Sequence, residues 1–426
     1  MALGICAAVG CGLDLTGSLD SVAAPGVDAG AEGSATLPDL DASGDAAGEA
    51  GTVDADVDTG TLDAESIRPD AGVTFVPSHI QPVYSLGAPD VLIATQTTVD
   101  TSARTITNGS GTAPLTNMVT SGGVAIWSVG TFTLQGGTRL TVVGSQALVV
   151  VAASTVVIDG HIDASGSDTK PGPGGFAAAS GTGKGGNGVK SGADASGAGG
   201  AGNATIGGAG GTKGAAAGGA GGPIDNADHA KLVGGSGGGN GGGFPTAVCS
   251  DPTRGRGGVG GGAIQFSAIG AITISGSIDV GGGGGSGGCQ DNGSTNDYRG
   301  GGGGGAAGSV FFESADNVQV GSFAQIVAAG GGGGEGGGNN STGLDGTPGQ
   351  ADPSGTAFGG FGQGGNGGNG GKATGGTAAA PGPGLVNDSA GGGGGSAGRV
   401  FFGTRAGAPI VAAGAAIAAL RSDFAF

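Results

Sequence analysis

Short runs in which apolar residues alternate with polar ones recur along the chain, three to a group. The clearest group is Ile264-Gln-Phe266, Ile272-Thr-Ile274 and Ile278-Asp-Val280. An earlier one is Leu148-Val-Val150, Val156-Val-Ile158 and Ile162-Asp-Ala164, with Gly160 matching Gly276 and Asp163 matching Asp279. Before these come Val124-Ala-Ile126, Phe132-Thr-Leu134 and Leu140-Thr-Val142. After them come Val310-Phe-Phe312, Val318-Gln-Val320 and Ile326-Val-Ala328. A last group starts at Val400-Phe-Phe402 and continues weakly through Ile410 and Ile417. Period two predicts strands with one buried face. Each strand is only about three residues long, and three per group with turns between them is the pattern of a solenoid coil. The Val, Ile, Phe and Thr content agrees with strand propensity.

The predicted fold is therefore all-β: a short right-handed parallel β-helix of about five coils, each burying its apolar face only against its neighbours. Three glycine-rich insertions, at residues 165–263, 281–309 and 329–399, each follow the third strand of a group. All three are predicted to leave the stack at one corner. They admit two readings, flexible loops or extended arms lying side by side. Gly364-Gly-Asn366-Gly-Gly-Asn369-Gly-Gly-Lys372 has period three, which matches the three residues per turn of polyproline-II geometry. Collagen is excluded, since glycine is not strictly every third residue. Helical periodicity is missing except over Ala412–Leu420, where a short helix is expected.

Composition sharpens this layout. Glycine supplies 111 of 426 residues, so about a quarter of the chain brings no side chain to a core. The net charge is −18, and fourteen acids against the single base Arg68 fall between Gly12 and Asp70. Residues 12–72 are thus expected to be an acidic, disordered tether, with a body from 73 to 426; calcium binding is the minor alternative for the acidic run. This acidity disfavours nucleic acid, whose binding rests on Lys and Arg, and anionic membrane surfaces. No run of 18 apolar residues predicts a membrane helix.

Residues 1–11 are apolar and end in Ala8-Val9-Gly10-Cys11, which resembles a bacterial lipoprotein lipobox with Ala8 at the usual leucine position. Small residues suit a signal-peptidase groove, and the resemblance implies lipidation at Cys11. Cys249 and Cys289 fall in the first and second insertions, on either side of one predicted coil. A disulfide between them would close a loop of about 40 residues, worth up to about 4 kcal/mol by loop entropy. It requires an oxidising compartment.

The units VVIDGHIDASG and ITISGSIDVGGGGG, followed by glycine runs, resemble the glycine-rich exported proteins of myxobacteria and related bacteria, often labelled PE-PGRS-like from composition. The likeness covers residues 85–426 together with the lipobox-and-tether layout. It departs from the true mycobacterial PE-PGRS pattern, since no helical domain opens the chain. It implies an exported protein at the outer membrane or cell surface, or secreted.

Catalytic motifs are missing. Gly183-Lys184 is followed by Gly185, so the phosphate-loop pattern fails, and no CxxC or HExxH predicts a metal site. No cofactor is expected. His79, His161 and His229 are far apart, with His161 expected to be exposed in a turn. Asp159, Asp163 and Asp279 are the acids on well-defined coils, with Arg139 the nearest coil cation and Arg254, Arg256 and Arg299 in the insertions. Asp163 and Asp279 are expected to stack on neighbouring coils as solvated surface acids.

The expected function is non-catalytic: a structural or adhesive surface protein whose partners are extracellular matrix, polysaccharide or cell-surface components. The alternatives are a β-helix polysaccharide lyase or hydrolase, which needs clustered carboxylates, and an ice- or surface-binding protein, for which Thr131, Thr133 and Thr141 are the candidate ladder.

Overall fold

The alternating pattern becomes a stack of parallel strands in the computed structural model, which describes residues 75–80, 87–225, 230–243, 251–290, 298–338, 341–371, 389–405 and 407–425. The expected signal segment, Cys11 and the acidic tether therefore lie outside the described residues, as do Cys249 and His229. In chain order the strands are β1 (Val91–Ile93), β2 (Thr97–Asp100), β3 (Thr105–Asn108), β4 (Gly111–Pro114), β5 (Met118–Ser121) and β6 (Val124–Val129). Next come β7 (Phe132–Leu134), β8 (Arg139–Val143), β9 (Ala147–Ala152), β10 (Val156–Ile158), β11 (His161–Asp163), β12 (Lys190–Ser191) and β13 (Asp194–Ala195). Then follow β14 (Ala263–Ala268), β15 (Ile272–Ile274), β16 (Ser277–Asp279), β17 (Ser309–Ser314), β18 (Val318–Val320) and β19 (Gln325–Val327). The last are β20 (Arg399–Thr404), β21 (Ile410–Val411), β22 (Ala416–Ala418) and β23 (Leu420–Ala425).

Strands that follow one another in the chain enter three different sheets in rotation. The first sheet runs β1-β7-β10-β15-β18-β21, the second β22-β19-β16-β11-β8-β2 and the third β23-β20-β17-β14-β9-β6, with every pair in these runs parallel. This sequential parallel order is that of a β-helix, and it is consistent with the right-handed crossovers that L-residue chains adopt. Antiparallel additions close the early end: β3 and β4 extend the second sheet past β2, and β5 extends the third past β6. The small hairpin β12–β13 stands apart, inside the first insertion.

Register explains the repeat. Like residues stack on like: Val156 pairs with Phe132 and Ile272, and Ile278 with Ile162 and Ile326. Phe312 lies stacked between Phe266 and Phe402, with ring centroids 5.9 and 5.4 Å apart. All of these are buried. Strands of two or three residues hold for the first sheet and three-residue strands for most of the second, but β6, β9, β14, β17 and β20 of the third each have six residues buried throughout. Burial on both faces goes with near-continuous apolar runs in β6 and β9, whereas β14 and β17 also bury Gln265, Ser267 and Glu313. Its outer face carries a second apolar cluster that includes Val149, Leu232, Phe311 and Phe401.

Residues 75–80 cross that outer face. The Ser78 amide donates to Glu313 Oε2 at 2.9 Å, and Gln265 Nε2 donates to Glu313 Oε2 (2.8 Å) and to the Ser78 carbonyl (2.9 Å). His79 bonds Gln265 Oε1 at 2.8 Å and sets its ring edge against Phe311, 4.6 Å between centroids. Glu313 is fully buried, so a carboxylate on an apolar sheet face is held by the strap that it holds.

The late end is closed by charge. Arg421 and Asp423 are in register with the inward-facing Val400 and Phe402. They form an ion pair at 2.6 Å, with the guanidinium 5.3 Å from the Phe402 ring centroid. Inward charge on the last strand discourages a further strand from adding to the edge. The Ala-rich segment expected to be helical is extended instead: Ala416, Ile417 and Ala418 form β22, paired with Gln325, Ile326 and Val327. The parallel template of β19 overrides the helix propensity of alanine.

The three insertions leave between β11 and β14, β16 and β17, and β19 and β20, always from the second sheet to the third. All three connections therefore run between the same two sheets. Their backbones bond to one another with a period of three. Gly197 and Gly200 donate to Gly211 and Gly208; Ala198 and Ala201 to Gly301 and Gly304; Gly199 and Gly202 to Gly186 and Gly183. Successive amides thus point to three different neighbours, and every third returns to the same one. The second and third insertions continue the network, with Gly301 and Gly304 donating to Ala390 and Gly393, and Gly393 donating to Ala198. Glycine is required here by close approach: a Cβ at Gly303 would overlap the Gly199 carbonyl oxygen. In the Gly-Gly-Asn stretch, Gly365, Gly368 and Gly371 donate to Ser389, Gly392 and Gly395, while Asn366 and Asn369 stay half-exposed at the edge.

Candidate functional site

Corner turns between the first and second sheets differ in length, and the difference carves a cleft. Four residues link β7 to β8 (135–138) and β18 to β19 (321–324), but only Asp159-Gly160 links β10 to β11, and only Ser275-Gly276 links β15 to β16. The two short turns sit between the two long ones. Glycine makes them possible: a Cβ at Gly160 would lie 2.7 Å from the carbonyl oxygens of Gln135 and Thr138, and one at Gly276 would overlap the Gly160 oxygen. The resulting open, shallow cleft has a volume of about 430 Å³ and is lined by Arg139, Asp159, His161, Ser277, Gln325 and Phe323, among others.

Four of these side chains form one row. Arg139, His161, Ser277 and Gln325 each open a strand of the second sheet and are in register across β8, β11, β16 and β19. Neighbouring parallel strands lie about 4.8 Å apart. His161 Nδ1 bonds Ser277 Oγ at 2.7 Å. The imidazole is half-buried rather than exposed, and burial is the main cause that holds its pKa below the usual 6.5, with Arg139 adding to the effect. It begins a strand instead of sitting in a turn. Phe323, on the far wall, is 87% exposed.

A second row lies two residues along. Thr141, Asp163 and Asp279 are in register, so the two aspartates do stack on neighbouring coils. Arg139 reaches across to Asp163 as an ion pair. Burial alone would push the Asp163 carboxyl up, but hydrogen bonds from Ser165 and Arg139 outweigh it and hold it below 3.8. Asp279 goes the other way. Burial first, and then the charge of Asp163, raise its pKa to about 7, opposed by the hydrogen bond from the Gly281 amide at 2.8 Å. It is not the solvated surface acid expected, because the second insertion turns back beside it and Gly349 of the third lies close to Gly281. Asp159 is exposed in its turn.

Cys289 is buried and disulfide-bonded; Cys249 lies outside the described residues. The insertion arginines take structural places: Arg254 pairs with Asp345 at 2.9 Å, and the buried Arg299 donates to the Arg254 carbonyl at 2.7 Å. The candidate threonines do not form one face, with Thr133 on the first sheet beside Val157 and Thr141 on the second. Among the described residues, no group of three or more His, Cys, Asp or Glu is placed to hold a metal ion, and no helix is long and apolar enough to cross a membrane.

Sequence reasoning missed Phe323, Ser277 and Gln325, and with them the cleft. The signal was present in the spacing: two residues between strands in two coils, four in the coils on either side. No family model, curated protein or solved structure matches the chain.

Proposed function

We propose that this chain is a non-catalytic, exported surface protein with a structural or adhesive role toward matrix, polysaccharide or cell-surface components. The observation that carries the reading is the period-three bonding of the arms. Three residues per turn with lateral amide bonds is the geometry expected of polyglycine-II-like helices. The protein is then a β-helix of about five coils fused along one corner to a slab of glycine helices, a rigid body with broad faces and few charged groups. The disulfide at Cys289 supports an oxidising compartment; Cys249 is its proposed partner. Lipidation at Cys11 with the acidic stretch as tether completes the layout of the glycine-rich exported proteins that the sequence resembles. The membrane is then touched only through the lipid, and nucleic acid is not a partner.

Palmitate labelling of the wild type and Cys11→Ala, with protease shaving of intact cells, tests the export reading. A labelled chain that proteases remove from the cell surface is expected, with the label lost in the variant. An unlabelled chain inside the cell overturns it.

A second reading, a polysaccharide lyase or hydrolase, is favoured by Asp163 and Asp279: neighbouring carboxyls pushed apart in pKa are the pattern of a base and an acid. Asp279, only 6% exposed, argues against it. New reducing ends or unsaturated sugars released from polysaccharide, and lost in Asp163→Asn, would establish this activity.

A further inference from the structure

We infer that the cleft between the Gln135–Thr138 and Gly321–Ala324 turns binds a neutral glycan chain, with Phe323 as the stacking platform and Arg139, His161, Ser277 and Gln325 as the hydrogen-bonding floor. The inference rests on the adhesive reading above and gives that reading a ligand class. Three observations converge on it.

The first is shape. The cleft is set by turn length and by two glycines that only a short turn needs, and its volume of about 430 Å³ lies in the range of ligand sites, roughly 300–1,000 Å³. It runs across the strands, along the coil axis. The row of four floor residues therefore extends about 14 Å at the parallel-strand spacing, room for a short run of sugars lying across successive coils.

The second is chemistry. Gln325 is exposed and brings an amide donor and acceptor, and Asp159 brings an exposed carboxylate. The bonded His161–Ser277 pair brings groups that donate or accept. Arg139 is half-exposed and paired to Asp163 at one end, with guanidinium donors to spare. Closely spaced donors and acceptors of both kinds match vicinal hydroxyls. Phe323 is 87% exposed at the rim of this polar floor. A single exposed aromatic means little by itself, but here it supplies the apolar wall that the C–H face of a pyranose would cover.

The third is charge. Asp163 offsets Arg139, Asp159 adds a negative charge, and His161 is held toward its neutral form by burial. The cleft has no excess positive charge with which to attract a uronic or sulfated chain, which selects neutral glycans.

Titration calorimetry of the full chain with cello-, laminari-, manno- and chitohexaose, and with hexagalacturonate as the anionic arm, tests this. At least one neutral hexamer binds, hexagalacturonate binds at least tenfold more weakly, and Phe323→Ala and Gln325→Ala each weaken binding fivefold or more. Both side chains are exposed, so thermal unfolding of the variants stays at the wild-type temperature and reports that the body is intact. No neutral binding, tighter binding of the galacturonate, or neutral binding unchanged in both variants overturns the assignment. Calorimetry on purified protein is independent of export: failure here with Cys11 labelling intact removes the glycan and leaves the surface protein, and the converse result separates the two in the other direction.

Discussion

Asp279→Asn should abolish a pH dependence of stability that the wild type shows between about pH 4 and pH 7. The Asp279 carboxyl is raised from 3.8 to about 7 by burial and by Asp163, so the folded state holds its proton more tightly than the unfolded chain does. Its stabilising contribution is therefore complete below the unfolded value and is lost as pH rises through the folded one. The gap between 3.8 and about 7, at about 1.4 kcal/mol per pH unit, comes to roughly 4 kcal/mol as an upper bound. Asp163 works in a different window. Its pKa is lowered, so its contribution is present above the ordinary value and lost only as pH falls below it. Asparagine keeps an oxygen for the Gly281 amide, now 2.8 Å from the carboxylate, and has no charge to desolvate. Denaturant unfolding, followed by the fluorescence of the single tryptophan, Trp127, which is buried in the core, gives stability at each pH. The burial-lowered His161 contributes the same rise with pH to both proteins, so the difference is the readout: the wild type should lose stability relative to the variant from pH 5 to pH 8 and be the weaker of the two at pH 8. Parallel profiles for the two proteins would refute the reasoning.

Three further outcomes are expected. Phe312→Ala removes the middle ring of the Phe266–Phe312–Phe402 stack and should cost about 3–5 kcal/mol in denaturant unfolding. Glu313→Ala leaves the Ser78 amide and Gln265 without their shared acceptor, a loss of about 1–3 kcal/mol for each orphaned group, and limited proteolysis should newly cut within residues 75–80. Gly303→Ala drives a methyl into the Gly199 carbonyl and should cost about 1–3 kcal/mol, whereas Asn366→Ala at the half-exposed edge should leave the melting temperature unchanged.

The β-helix was legible because its core is written in side chains. Ile264, Ile272 and Ile278 mark three inward positions, and Gly160 and Gly276 mark the same turn in two coils. Counting strands led to the expectation that all three arms leave at one corner. The Gly-Gly-Asn period hinted at arms lying side by side, but which residues of the arms meet was not legible. A glycine run carries no register, and whether Gly199 meets Gly186 or solvent is decided by backbone bonds that leave no trace in residue type. Asp279 was misjudged for a related reason, since the Gly281 amide that bonds it and the Gly349 beside that glycine belong to the arms. The first strands of the helix escaped notice because β2, Thr-Thr-Val-Asp, has little apolar alternation, and the residue 75–80 strap because its partner Glu313 sits on a face that the period-two pattern assigns to solvent. Ala412–Leu420 failed because a template strand, not local propensity, sets its conformation.

Amide hydrogen exchange across the arms tests the central claim most directly. Every amide from Gly300 to Gly305 donates to a backbone carbonyl of another segment, so peptides covering this run should be protected to the same degree as β17. Exchange of Gly300–Gly305 at free-peptide rates while β17 stays protected would contradict it, leaving a short β-helix with glycine loops and no slab.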